Sequence, residues 1–541
     1  MRLEKRVKGV FVFLCVLAIA ILMGALPLQA DAAKQGGILN IAIGMNPSRM
    51  DPPNSYAGSD MMIGAHIFER LVYFEYDEKA ESIIPKPWLA KTWEVSADGK
   101  MWTFHLKEGV TFHDGIPFNA EAVKFNIERT IDSEKKTRYG GDLRAVVAAV
   151  EVVDGMTIRI HCKFPVAAFL HLIGQPCLGI MSPASVAEHG DKIGRNPTGT
   201  GPFKFAKWVS GEFVELAVNR QYWKRRAHLD GIVFRFVPDS SARVNMLQTG
   251  EVDVAYNVPV PDHARLRKSG KFDVISWPTA TILRLMLNCQ KTATKDLKVR
   301  QAIKLAIDRP GIIEGVLRGN AKASRSAVAP YSWGYYPASD VTYDPGKAKS
   351  LLAEAGWIDS DNDGIREKGG KKLTLTIRAP QAGRYPMDRE CLLAIQENLR
   401  SVGFECKINT MEFAAFLGSL FVPLEKSNGD AVFVSWSSRT HAWFATYKTL
   451  PSKFWVPRGI NVSYYKNEEV DKMLDAAVVE RNEQKAMAFY KRVQILTEEE
   501  VPQIQLWLMN YMIAKKKNVH NVTTVPLPTP DTFNVREAWI E

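Results

Sequence analysis

The residues best equipped for chemistry fall in one short run, Val434-Ser-Trp436-Ser-Ser438-Arg439-Thr-His441-Ala-Trp443-Phe444. Two indoles flank a guanidinium there. A guanidinium is a planar, permanently charged fork that matches carboxylate or phosphate and repels an ammonium group. The run therefore suits an anionic or polyhydroxylated small molecule. The competing reading is that Arg439 points to solvent or pairs within its own lobe. Other constellations are weaker. Asp359-Ser-Asp361-Asn-Asp363-Gly364 opens like a calcium loop, but Gly370 stands at the twelfth position, where a bidentate glutamate belongs, so it reads as a polar turn. Ser133-x-x-Lys136 matches a serine-nucleophile pattern, yet the companion Lys-Thr-Gly is absent, as are G-x-S-x-G and H-E-x-x-H. Cys177 near His171 and His189 has no third group to orient an imidazole. His113, between Phe112 and Asp114-Gly115, is a turn residue and not a base. No enzyme, cofactor or metal site is expected.

These groups need a scaffold, and the chain is organised around Asn196 to Trp223. Pro197, Gly199, Gly201 and Pro202 mark a tight turn in which the glycines permit positive φ. Phe203 to Trp208 and Phe213 to Val218 read as a hairpin around Ser210-Gly211. GTGPFK is no phosphate loop: it lacks Gly-Lys-Ser/Thr and leads into a strand. Upstream, Ile38 to Ile43 reads as a strand, Met61 to Leu71 as a helix, and Asn119 caps a helix from Ala120. Val150 to His161 reads as one strand, with Phe164 to Ile173 as a helix. Downstream, Val299, Ile303, Ala306 and Ile307 form one helical face. Asp344 caps a helix with Pro345 at its first position, and strand 373–377, helix 387–402 and strand 404–408 make a βαβ unit. Helices follow at 468–479 and 483–499, and 504–514 reads as a strand pair. Alternating strands and helices imply an α/β protein with a largely parallel sheet.

At 541 residues the chain is too long for one core and divides into lobes. Residues 1–32 read as a cleaved signal peptide: Arg2, Lys5, Arg6 and Lys8, an apolar run from Val10 to Met23, then Ala30-Asp31-Ala32. Losing its four basic and two acidic residues lowers the formal charge from +11 to +9. That excess is spread along the chain, and a secreted protein has little access to nucleic acid, so nucleic-acid binding is excluded. The five remaining cysteines show no framework spacing. Cys391 and Cys406 are separated by a helix and cannot bridge; Cys162 with Cys177 stays open.

Asn196–Trp223, together with Leu89-Ala-x-x-Trp93-Glu-Val-Ser-x-Asp98-Gly-Lys100 and Phe112-His-Asp-Gly-x-Pro-Phe118, resembles the family 5 solute-binding proteins, receptors of ABC importers for dipeptides, oligopeptides or nickel. The resemblance covers residues 38 to 520. It implies a two-lobed periplasmic-binding-protein fold of type II with an extra subdomain in the first lobe. The lobes would be 33–289 (subdomain about 80–195) and 290–503, with 504–541 returning to the first. The loop holding Met50-Asp51-Pro52 would line a cleft, with Tyr56, Met61 and Arg138 contributing to it. Trp436, Ser438 and Trp443 would face them from the second lobe. In peptide-binding members an acid after the tryptophan holds the peptide amino terminus; Arg439 stands at about that place.

The expected function is a periplasmic, monomeric receptor. It captures a small solute or short peptide by hinge closure and delivers it to an inner-membrane permease. A sugar conjugate or metal chelate as ligand, a receptor that signals, and a serine hydrolase or transpeptidase remain as alternatives.

Overall fold

The computed structural model describes residues 33–55, 58–135, 137, 140–381, 384–524 and 533–541; the signal-peptide reading of 1–32 lies outside them. The backbone of the molecule is one large mixed sheet. From one edge its order is Glu405–Met411, Thr374–Pro380, Ala431–Ser437, Phe272–Leu287, Gln503–Lys516, Val254–Tyr256, Ile38–Ile43, Gly231–Phe236, Phe213–Val218 and Phe203–Val209. Parallel pairing is confined to two patches, around Ile38–Ile43 and around Thr374–Pro380. The middle and one edge are antiparallel, so the largely parallel sheet expected from the alternation is corrected to a mixed one.

Two long strands join the halves. Phe272–Leu287 and Gln503–Lys516 run antiparallel, with their register broken between Pro278 and Ile282. Proline has no N–H to give to a ladder, which accounts for an interruption at that point. Residues 504–514 form part of one continuous strand, not the pair expected.

A separate antiparallel sheet, Ala90–Val95, Met101–Leu106, Thr157–Cys162 and Val147–Asp154, forms the subdomain. The segment read as one strand from Val150 to His161 is a hairpin turning at Asp154-Gly155. Helix Ala120–Ile131 covers this sheet, with the Asn119 side chain accepting from Ala122 N at 3.0 Å. In the second half, Thr374–Pro380, helix Asp388–Arg400 and Glu405–Met411 form the expected parallel βαβ unit. Asp344 caps helix Pro345–Glu354.

Three cores follow. One lies under Ile38–Ile43 and Gly231–Phe236, and a second under Thr374–Pro380. The third runs without a break from Phe104 and Ile158 in the subdomain to Trp443, Leu474 and Val493 in the second half. Burying each such side chain contributes about 1.5–3 kcal/mol. The same seam carries polar contacts: Ala167 N to Val478 O at 3.1 Å, Ile83 N to Tyr331 O at 2.8 Å, and an ion pair between Lys448 and Asp142. The halves are closed on each other.

Candidate functional site

The first wall is built on helix Gly58–Ile67, which starts and stops earlier than its periodicity suggests. Its end is set by the signature turn. Gly201 N donates to Ile67 O at 2.8 Å, and a Cβ on Gly199 or Gly201 would lie 2.2 Å from Ile67 O or 2.5 Å from His66 O. Neither glycine has positive φ, so close backbone approach, not the left-handed freedom expected, is what requires them. His113 completes the clamp: Nε2 donates to Gly201 O at 2.9 Å and Nδ1 accepts from Gly199 N at 3.4 Å.

Released from the helix, Glu69 turns inward and is 1% exposed. Its carboxylate accepts from Trp88 Nε1, Tyr222 OH and Trp223 Nε1 at 2.7 Å each and from Thr200 Oγ1 at 2.9 Å. Lys224 Nζ lies 3.2 Å from the centre of the Trp88 ring and brings positive charge to this cluster. Asp51, fully buried, forms a two-pronged pair with Arg129, both bonds 2.8 Å, and fixes the loop that precedes the helix. Met61 is thereby held beside a small void with Arg70, Pro176 and Gly179.

The second wall is the end of strand Ala431–Ser437. Trp436 pairs with Ile282 across the ladder and donates Nε1 to Phe444 O at 3.4 Å. The Arg439 guanidinium lies 4.9 Å from the centre of the Phe444 ring. Arg439 has φ 49°, a left-handed conformation uncommon for a residue with a side chain. Ser332 Oγ donates to its carbonyl at 2.7 Å, and its own N–H donates to Ser437 Oγ at 3.0 Å. The side chain borders a void with Asp142, Leu172, Gln175 and Leu178. Met61 and Arg439 thus each border a void lined by the segment 175–179.

Two residues singled out in the sequence lie elsewhere. Ser438 is fully buried and its hydroxyl is committed to Ala329 N and Ser332 Oγ. Trp443 is 4% exposed and stacks on Tyr447 within the core shared by the two halves. Tyr56 and Arg138 lie outside the described residues.

Sequence reasoning missed Arg384 and Tyr385. Tyr385 OH accepts from Ser435 N at 3.1 Å, next to Trp436, and the Arg384 guanidinium lies 4.1 Å from the centre of the Phe413 ring. Burial raises the Tyr511 hydroxyl above its ordinary value, and the Arg384 charge opposes that rise. Tyr511 packs against Tyr256 and Trp277. The only available signal was an Arg-Tyr pair in a loop between strand and helix. Arg439 and Arg384 thus stand on the two segments that adjoin the end of strand Ala431–Ser437, each against a phenylalanine ring, Phe444 and Phe413.

Asp359, Asp361, Asp363 and Glu367 converge to within 4.8 Å; Lys372 bonds Asp363 at 2.6 Å and backbone N–H groups bond Asp359 Oδ2 and Glu367 Oε2, while Asp359 Oδ1 and Glu367 Oε1 are buried without a partner. Cys162, Cys177, Cys289, Cys391 and Cys406 are all free and buried, and burial pushes the Cys162 thiol up to about 12.

Burial also sets the pH response. It pushes His66 and His171 down to about 3 and His113 to about 4, and His441 well below its ordinary 6.5. These rings stay neutral in the fold while the unfolded chain takes up protons. Stability is therefore complete above pH 6.5 and declines as pH falls from there toward 4, by roughly 1.4 kcal/mol per pH unit for each histidine involved. Calorimetric melting between pH 7 and 5 is expected to show this decline; an unchanged midpoint would contradict it.

The comparisons agree with this architecture. The model for bacterial extracellular solute-binding proteins, family 5, matches residues 85–486. The glutathione-binding protein GsiB of Salmonella typhi is 29% identical over 521 residues, covering 95% of this chain and 96% of that protein. Among solved structures, the periplasmic binding protein DppA of Helicobacter pylori with the peptide STSA superposes with TM-score 0.77 at 28% identity, covering 94% of this chain and 99% of that one. NikZ of Campylobacter jejuni with Ni(L-His) gives TM-score 0.77 at 26% identity, covering 93% and 99%. The chain belongs to the family 5 bacterial extracellular solute-binding proteins, has their two-lobed type II α/β fold, and is a solute-binding receptor of an ABC importer.

Proposed function

We propose that this receptor takes a small peptide-like anion, held between Arg439 and Arg384 over the face of Trp436, and that Met61 closes on it from the first wall. The observation that supports the reading is two guanidiniums, Arg439 over Phe444 and Arg384 over Phe413, on segments bonded to the strand end that carries Trp436. Each can meet a carboxylate through charge-assisted bonds, and together they disfavour a free ammonium at that end. Glutathione, named for the GsiB relatives, carries two carboxylates and a net negative charge at neutral pH, and is the first candidate. The protein works by binding, without catalysis. It acts as a monomer in the periplasm, with lobes 33–289 plus 504–541 and 290–503 closing on the solute before it meets the permease.

Titration calorimetry with reduced glutathione tests this. Losing one desolvated charge-assisted contact costs about 1.5–3 kcal/mol, so Arg439→Ala is expected to weaken binding by roughly 10- to 100-fold. Arg439→Lys should recover part of the loss, since it restores charge without the fork. Equal affinity in Arg439→Ala would remove Arg439 from the site. Native mass spectrometry of protein isolated from its source would identify a solute of another class.

A further inference from the structure

A chamber of about 770 Å³ has His441 in its wall, and Met61, Trp436 and Arg439 are not among its walls. Its size is that of a small-molecule site. One side is the subdomain, with Trp102, Leu170 and His171; the other is the second half, with Trp333, Tyr335 and His441.

The walls are held in place by their own packing. Trp102 stacks on Phe169 at 5.1 Å, and His171 stacks on Phe74 at 5.8 Å. Trp333 lies flat on His441, 4.5 Å between centres and 13° between planes. The His441 ring is fixed by Nδ1, which accepts from Trp443 N at 3.0 Å. A site of rigid aromatic faces needs little ordering when a ligand enters.

The walls offer ring faces in place of polar anchors: Trp102 Nε1 and His171 Nδ1 are buried behind the chamber surface, without a hydrogen-bond partner. The rim sets the charge. Glu81, Glu480 and Glu483 stand there against Arg481, whose guanidinium is already bonded to Ala97 O. Three carboxylates against one cation, above indole faces, favour an ammonium and disfavour a carboxylate.

We propose that this chamber is a second ligand site, separate from the solute cleft, for an aromatic amine. Its walls come from both sides of the closed seam, so an occupant binds the closed molecule.

Ring-fluorinated tyramine, followed by fluorine NMR on the full mature chain, is the test. Saturable binding is expected at or below about 1 mM, with the matching fluorinated para-hydroxyphenylacetate at least tenfold weaker. Ala167 lines the chamber and is exposed, so Ala167→Trp should fill the space without disturbing a core and weaken the amine at least tenfold. The surface pair Glu480→Gln with Glu483→Gln should weaken it about threefold or more by removing rim charge. No saturation by the amine, equal binding of the anion, or unchanged affinity in Ala167→Trp would each overturn the proposal. None of these readouts depends on which solute occupies the Arg439 cleft.

Discussion

Glu69→Ala is expected to destabilise the protein by about 4 kcal/mol, because it strands four donors at once, one of them fully buried. Trp88 Nε1, Thr200 Oγ1, Tyr222 OH and Trp223 Nε1 converge on one carboxylate. No neighbouring group can replace it, and water has little access to a residue 1% exposed. In a chain of this length such a loss shifts the calorimetric midpoint by roughly 4 °C. Glu69→Gln should cost about half as much, since its amide oxygen still accepts while its NH₂ faces other donors. An alanine variant that melts with the wild type would show that the cluster is satisfied in some other way.

Asp51→Ala is expected to rival it, at about 3–5 kcal/mol, for a different reason: it leaves the Arg129 charge buried without its partner. The pair is two-pronged at 2.8 Å, Asp51 is fully buried, and Asn54 Nδ2 adds a further bond at 2.9 Å. Removing both charges, as Asp51→Ala with Arg129→Met, should recover most of the loss, because an apolar replacement carries no orphaned ion. The loop ahead of Met61 hangs on this pair, so solute affinity should fall in the single variant at temperatures where it remains folded. A double variant no more stable than the single one would contradict the account.

What the residues disclosed on their own was what local rules encode. Asn119 and Asp344 announced helix starts, and the alternation from 373 to 408 announced a parallel βαβ unit, because cap geometry and side-chain period are properties of short segments. Trp436 and Arg439 drew attention through their types and spacing. What stayed hidden depended on partners distant in the chain. Glu69 sits in IFERLV, which reads as a helical face, and only contact with Trp88, Tyr222 and Trp223 reveals its role. Ser438 looked like a contact residue beside Arg439, but Ala329 and Ser332 claim its hydroxyl. Arg384 lies in a loop without periodicity, so nothing local distinguished it. Gly199 and Gly201 were recognised as necessary, but the reason lay in the carbonyls of Ile67 and His66.

The paired long strands make the link between the halves a leaf spring. A link of two independent coils would let the halves swivel, slide and part in many directions at almost no elastic cost. Phe272–Leu287 and Gln503–Lys516 are instead laced together on either side of a short gap, from Phe272 opposite Lys516 to Met286 opposite Gln503. Bending at Pro278–Ile282 is the compliant direction, and shear is resisted by the bonds on both sides of the gap. The stiffness of this stretch therefore bears on how readily the halves move relative to each other.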